Sequence, residues 1–258
     1  MFRYREPQFE KKRLLRIEML EQLRDYPRDY LRIRYQGYSD GILCGCGIRW
    51  EDGMLTVAPG ILRHGGRFYF MEKPHSMECG VDDRMRYVKV RFLEDTREGG
   101  MLCAGTDILL DEAKPEPERE TELCRFRLQE GARLRTVYEN FEDYSTQFDT
   151  VNIIHAPYAS EGKHTLQPDI LKCFARELLK QGGCDAWDIS FAMNIMAGEG
   201  MVARECICLY LEAKSGALGD TGGNETLYAG LLNVLKEQGS GGRMRGYSGG
   251  RTKQIILL

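Results

Sequence analysis

Between Glu6 and Tyr35, apolar residues recur at Phe9, Leu14, Ile17, Leu20 and Leu23, with charged residues between them. Steps of three to five place them on one stripe, so an amphipathic helix is predicted over this segment. Pro7 suits a first turn. Pro27 is expected to end or kink the helix near Tyr26, after which the chain restarts as a short helix or runs on as a strand. From Ile42 the period becomes two. Ile42, Cys44, Cys46, Ile48 and Trp50 alternate with Leu43, Gly45, Gly47 and Arg49, which predicts a strand. Glu51–Gly53 is a turn signal, because Asp-Gly accepts the positive φ of a hairpin turn. Met54–Gly60 reads as a second strand, His64–Gly66 as another turn, and Arg67–Met71 as another strand. Arg86–Leu93, Thr106–Glu112 and Glu120–Gln129 continue the series, with a solvated loop at Ala113–Glu120. Ile42, Ile48, Val57, Phe68, Val90 and Phe126 are expected in or near the core of this β-region.

After Gly131 the chain is irregular and rich in Tyr and Phe up to Thr165, which predicts a segment packed against something. Helix signals follow. Pro168 opens one helix, which Gly182-Gly183 close. Asp185 is placed to cap the next. "MVARECICLYLEAKSG" is the third, and Asn224 is expected to cap the fourth. Short Gly-rich connections predict a small bundle. The fold class is therefore α+β. It comprises an N-terminal amphipathic helix (1–36), an antiparallel β-sandwich or barrel-like domain (37–130), an aromatic-rich connector (131–165), a helical bundle (166–238) and a Gly-rich tail with a strand-like tip (239–258).

Composition changes this picture little. The 258 residues are 42% hydrophobic and 29% charged, and the net charge is −3. That balance makes no electrostatic case for nucleic acid or membrane. The first twenty residues lack an apolar signal core, so a signal peptide is not expected. Nine cysteines at scattered spacings are then expected to be reduced thiols acting as small buried hydrophobes.

Each candidate chemistry has a plainer alternative. Cys44 and Cys46 are spaced Cys-x-Cys, not as zinc pairs, and on one strand both thiols would point into one core. "SEGKHT" (Ser160–Thr165) evokes a phosphate loop. However, Pro157 stands where the first glycine belongs and His164 follows Lys163 where Ser or Thr belongs. His155 and His164, with Cys173 or Asp169, could form a hydrolytic site only if they converge. Glu139, Glu142, Asp143 and Asp149 could pair as carboxylates, but a solvated face is the default. No catalytic residue, metal or cofactor is assigned.

"SDGILCGCGIRWEDGMLTVAPGILRHGGRFYFM" (Ser39–Met71) resembles a pattern in tail and baseplate proteins of phages and phage-derived contractile machines. In that pattern a glycine-punctuated strand leads through a turn to an apolar-x-Pro-Gly-apolar strand end, then Gly-Arg and an aromatic strand. Gly41, Gly45, Ile48, Val57, Pro59, Gly60, Gly66, Arg67 and Tyr69 carry it. The whole chain also resembles a family of Firmicute phage- and prophage-type proteins often labelled "DNA and RNA helicase", a label that the broken phosphate loop does not support. The resemblance implies a non-enzymatic assembly component, a baseplate adaptor present in several copies. Its partners would be other tail or baseplate subunits, and it would be made in the bacterial cytoplasm and built into a virion or tail-like particle. The tail is the expected interface. Gln254, Ile255, Ile256, Leu257 and Leu258 suit strand addition to a neighbour, with Arg251 and Lys253 at the rim. A hydrolase near His155 and His164 is the alternative. A third reading is nucleic-acid binding through Arg243, Arg245, Arg251 and Lys253.

Overall fold

In the computed structural model the described residues are 1, 3–12, 14–80, 82–216 and 222–241. Helix α1 spans Ile17–Arg34, shorter than the stripe predicts. Phe9 and Leu14 lie before it in non-helical chain. Pro27 sits inside the helix. A proline removes one backbone hydrogen bond, and here no residue of the helix is buried, so water can satisfy the freed carbonyl.

The long alternating stretch is two strands, not one. β1 (Gly41–Gly45) and β2 (Ile48–Glu51) are separated at Cys46-Gly47. Gly45 and Cys46 both have positive φ, +74° and +57°. A Cβ on Gly45 would lie 2.1 Å from the Pro59 carbonyl oxygen, so only glycine permits this approach. The Cys46 amide donates to that same carbonyl at 3.1 Å. At this corner the chain changes sheets. β3 (Met54–Val57), β4 (Gly60–His64), β5 (Arg67–Met71) and β6 (His75–Glu78) complete sheets ordered β1-β4-β5 and β2-β3-β6. The Asp-Gly signal is a hairpin turn between β2 and β3, with Asp52 and Gly53 both at positive φ.

β7 (Met85–Phe92), β10 (Thr106–Asp111) and β11 (Glu120–Arg127) form a third sheet with β7 central, and β8 (Thr96–Glu98) pairs with β9 (Met101–Cys103). All these strand pairs are antiparallel. The sheets stay open, so the barrel-like form does not occur among the described residues. Ile42, Leu55, Val57, Val88, Val90, Cys124 and Phe126 make their shared core, with Ile48 packed at its edge. Phe68 is half-buried and meets the Tyr35 ring.

The connector is packed, as its aromatic content predicts. A short 3-10 turn (Glu142–Ser145) interrupts it. Phe141, Tyr144 and Ile154 enter the helical core, while Leu134, Val151, Ala156 and Tyr158 enter the sheet core. Helices α2 (Pro168–Gln181), α3 (Ala186–Ala197), α4 (Arg204–Ser215) and α5 (Asn224–Gly241) follow. The Gln167 side chain caps α2, and Asp185 with Asp188 forms a capping box on α3. Asn224 does something other than the expected capping: its amide donates to the Ala156 and Thr165 carbonyls at 3.1 and 3.0 Å.

Val90 is 3% exposed on the central strand β7. Val90→Asp is expected to destabilise the protein by at least about 3 kcal/mol, because an unpaired charge enters an apolar core. Thermal unfolding checks this, and a wild-type melting curve would refute the placement of β7.

Candidate functional site

The structure separates most of the candidate groups. Cys44 is exposed and Cys46 buried, so the two thiols do not enter one core. The positive-φ corner rotates them apart. All nine cysteines are free thiols. Burial pushes Cys46 up to about 12. Cys173 also rises to about 12, through burial and the neighbouring Glu177 carboxylate. Neither is a thiolate at neutral pH, and a thiol is a weak nucleophile. Among the described residues no group of three or more His, Cys, Asp or Glu side chains stands together to hold a metal.

Ser160–Thr165 forms a latch. Its amides already have carbonyl partners: Gly162 donates to Gly37 at 2.9 Å and Thr165 to Tyr158 at 2.7 Å. The Ser160 hydroxyl donates to the Lys163 carbonyl at 2.5 Å. A phosphate cradle needs its amides pointing at the ligand, whereas the Gly162 amide ties the turn to the chain after α1 and the Thr165 amide closes a bridge within the connector.

His155 lines a small cavity with Arg125, Arg127, Phe148, Thr150 and Asn152, a lining that does not include His164, Asp169 or Cys173. Burial and the Arg125 guanidinium hold the imidazole below its ordinary value. The His164 carbonyl accepts from Arg204 at 3.4 Å. The Cys173 thiol donates to Glu177 at 3.5 Å. A larger cavity of about 340 Å³ opens between sheets and connector, lined by Cys46, Tyr138, Tyr144, Tyr158, Gln167 and Asp169 among others. Its phenols are turned inward. Tyr138 donates to the Val151 carbonyl at 2.6 Å and Tyr158 to Gly45 at 3.3 Å, and burial pushes both well above the ordinary tyrosine value.

Three of the four candidate carboxylates of the connector have separate partners. Asp143 accepts from both terminal nitrogens of Arg135 and from the Glu139 amide. Glu142 pairs with Lys236 at 2.9 Å, and Asp149 accepts from the Gln129 amide at 2.8 Å. The buried charges are tied just as closely. Asp188, fully buried, accepts from Tyr210 (2.7 Å), Lys214 (3.0 Å) and Gln238 (2.5 Å), which joins α3, α4 and α5. Buried Lys89 on β7 pairs with Glu120 at 2.9 Å and Asp111 at 3.2 Å, and Arg91 shares Glu120 at 2.7 Å. Such knots, with their members satisfied, fix geometry.

Two helix faces remain uncovered among the described residues. On α3 the sole charged side chain, Asp188, points inward. Ile189 (48% exposed), Met193 (56%) and Met196 (39%) form a stripe on its outer side, and Trp187 (60%) is exposed on the opposite flank. On α1, Leu20, Leu23, Tyr26, Tyr30 and Ile33 are half to two-thirds exposed. The signal for α3 was present in "AWDISFAMNIMA", where Ile189, Met193 and Met196 add a second apolar stripe beside the one formed by Phe191, Ala192 and Ile195, more than one core covers. The expected tail interface, Arg251 to Leu258, lies outside the described residues, as do Arg243 and Arg245.

Burial opposes the charge on Glu120, but bonds from Lys89, the Glu116 amide and Arg91 win and hold it below the ordinary glutamate value. A depressed carboxylate stabilises the fold above its unfolded value, about 4.3, and loses that contribution as pH falls through the folded value. Melting temperature against pH is therefore expected to fall less steeply below about pH 4.3 in Glu120→Gln than in wild type. The depressed imidazole of His155 works in the same window sense: its contribution is lost as pH drops below about 6.5. An NMR titration is expected to place its midpoint under that value.

No family model matches the chain, and no curated protein matches it. Two solved structures overlie most of it. A crystal structure of TssK gives a TM-score of 0.42 at 12% identity, covering 91% of this chain and 69% of that one. The type VI secretion system TssK-TssF-TssG baseplate subcomplex, seen by cryo-electron microscopy, gives 0.40 at 11% identity, covering 92% of this chain and all of the matched chain. Likenesses at these scores fix neither the fold nor the role. No helix among the described residues is long and apolar enough to cross a membrane.

Proposed function

We propose that the chain is a structural component of a tail-like baseplate, an adaptor that works through protein–protein interfaces and not through catalysis. The observation that carries the reading is the outer face of α3. A helix whose only charge is buried, and whose outer stripe is Ile189, Met193 and Met196, is built for contact on both sides. Methionine suits such a face, because its flexible, polarizable side chain adapts to a partner surface.

The resemblance over Ser39–Met71 supports the choice of partner class. Three of its glycines, Gly41, Gly45 and Gly60, mark close approaches, while Gly66 is a turn residue in open space. A Cβ on Gly41 would meet the Pro157 carbonyl at 2.4 Å, and one on Gly60 would meet Cys46 Sγ at 2.4 Å. The pattern therefore describes the corner where the sheets join, and shared corners are what related scaffolds have in common. The hydrolase reading gains no comparable support, since the cavity that His155 lines includes neither His164 nor Cys173.

Purified tail-like particles from a strain encoding the chain are expected to contain it in fixed stoichiometry by mass spectrometry. Met193→Glu is expected to melt like wild type yet drop out of those particles. Particles that assemble fully without the chain, or that retain the variant at wild-type levels, would refute the reading. The purified protein is expected to show no ATP hydrolysis above background, and a rate abolished by Lys163→Ala would reinstate the phosphate loop.

A further inference from the structure

The cavity beside His155 is walled by hydrogen-bond donors. It has a volume of about 230 Å³, and among the described residues no carboxylate lines it. Arg125 and Arg127 reach it from β11, Asn152 and His155 from the connector. Two residues apart on one strand, the arginines share a face. The alternation that buries Cys124 and Phe126 turns both guanidiniums away from the sheet core.

Each arginine is held by a carboxylate along one edge only. Arg125 gives Nε and Nη2 to Glu122 at 2.6 and 2.7 Å. Arg127 gives Nε and Nη2 to Asp83 at 3.0 and 3.2 Å. Aromatic rings fix the planes as well, Tyr87 at 5.1 Å from Arg125 and Phe148 at 4.9 Å from Arg127. A guanidinium carries five N–H donors. Nη1 of each arginine, with two of them, has no partner among the described residues. Asn152 is in the same state. Its Oδ1 accepts from the Ile154 amide at 3.0 Å, while its Nδ2 donates to no described group. Neither ring nitrogen of half-buried His155 makes a hydrogen bond there either. Burial and Arg125 favour its neutral form, against the opposite pull of Glu122 and of Glu225 on α5.

These donors decide what fits. A cation would face two guanidiniums and no carboxylate. An apolar ligand would strip water from the Nη1 and Nδ2 donors and leave them unpaired, which is costly. An oxyanion satisfies them, because the N–H fork of arginine matches the oxygens of carboxylate and phosphate.

We propose that this cavity binds a small oxyanion, a phosphate or a carboxylate, held by Arg125, Arg127 and Asn152 with His155 beside it. Glu122 and Asp83 keep the guanidiniums in place when the cavity is empty, so little order has to be acquired on binding. They also offset much of the positive charge, so affinity is modest and falls with salt. The site does not rest on the baseplate reading.

The test follows the His155 imidazole by NMR in the full chain at constant ionic strength. Inorganic phosphate is titrated in one arm and acetate in another, each against chloride. His155→Gln assigns the signal among the four histidines. A bound anion favours the imidazolium. The His155 signal is therefore expected to move to saturation and its titration midpoint to rise, while His64 and His75 stay in place. Saturation by either anion supports the site, and the arm that saturates identifies the class. Arg127→Gln is expected to melt like wild type, since its ion pair is exposed. It is expected to weaken binding about tenfold or more, as the loss of a charge-assisted hydrogen bond implies. Asn152→Asp keeps the acceptor that Ile154 uses, replaces the donor by a negative charge, and is expected to abolish binding. Arg67→Gln, which breaks an exposed pair with Asp95 on β5, is expected to bind as wild type does. A His155 signal that moves no further in phosphate or acetate than in chloride would overturn the proposal. So would wild-type affinity in Arg127→Gln or Asn152→Asp, or an equal loss in Arg67→Gln. Particle incorporation through α3 is measured separately, so either idea can fail alone.

Discussion

A buried irregular segment has to satisfy its own backbone, and this constraint organises the molecule. Residues 131–165 run between the sheets and the helices with little regular structure, yet much of the segment is inside. Each buried amide and carbonyl left unpaired would cost about as much as a lost hydrogen bond. The partners come from both sides. The Ile42 amide donates to Pro157 and the Ile42 carbonyl accepts from Ala159, both at 2.8 Å. Arg125 and Asn152 exchange both backbone bonds, at 3.0 and 2.7 Å. On the helical side, Asn224 donates to two connector carbonyls, Tyr228 donates to Phe141 at 2.5 Å, and Glu177 accepts from the Phe141 amide at 2.5 Å. The connector is therefore a layer of the structure, and it welds two cores that share few direct contacts.

That weld explains which parts of the fold were legible. β7 and β11 are long, β-branched and aromatic, and their bounds follow from residues inside them. The α2 and α3 starts are written in Gln167-Pro168 and in Asp185 with Asp188, where the cap is made within three residues. The break between β1 and β2 is not local. It depends on Pro59 meeting Gly45 across a pairing that alternation cannot reveal, so five alternating residues read as one strand. Asn224 misled for the same reason. It sits at a helix start, where Asn normally caps, but its amide is claimed by carbonyls 59 and 68 residues away. The start of α1 failed differently. Phe9 and Leu14 keep helical spacing, but Arg16, at the N-cap position, offers no side-chain cap, and nothing nearby buries the stripe.

The candidate chemistry was legible mainly as residue types. Histidine, cysteine and carboxylates lie close in sequence between Glu139 and Cys173, and closeness in sequence is what raises a catalytic hypothesis. The fold disperses them because several polar side chains of the buried connector are taken up as local hydrogen-bond partners. Asp143 holds Arg135 and two further donors from its own segment. Ser160 holds the turn that contains it. A side chain committed in this way is held by its own segment and not turned toward the other candidate groups.

The same commitment gives the exposed faces their meaning. In α3 a charge joins Phe191, Ala192 and Ile195 on the inner face, and an apolar stripe with two methionines lies outside. Asp188 inside joins three helices through Tyr210, Lys214 and Gln238. A buried carboxylate with all its partners is a weak source of net stability but a strong source of fixed geometry. The outer stripe of α3 is thus held rigid by the knot on its inner side. A rigid apolar face loses little conformational entropy when a partner covers it, and this is how preorganisation raises affinity. Helix α1 is the complementary case. None of its residues is buried, and its foot meets the body through Tyr35 and Phe68, so no such knot holds its face in place.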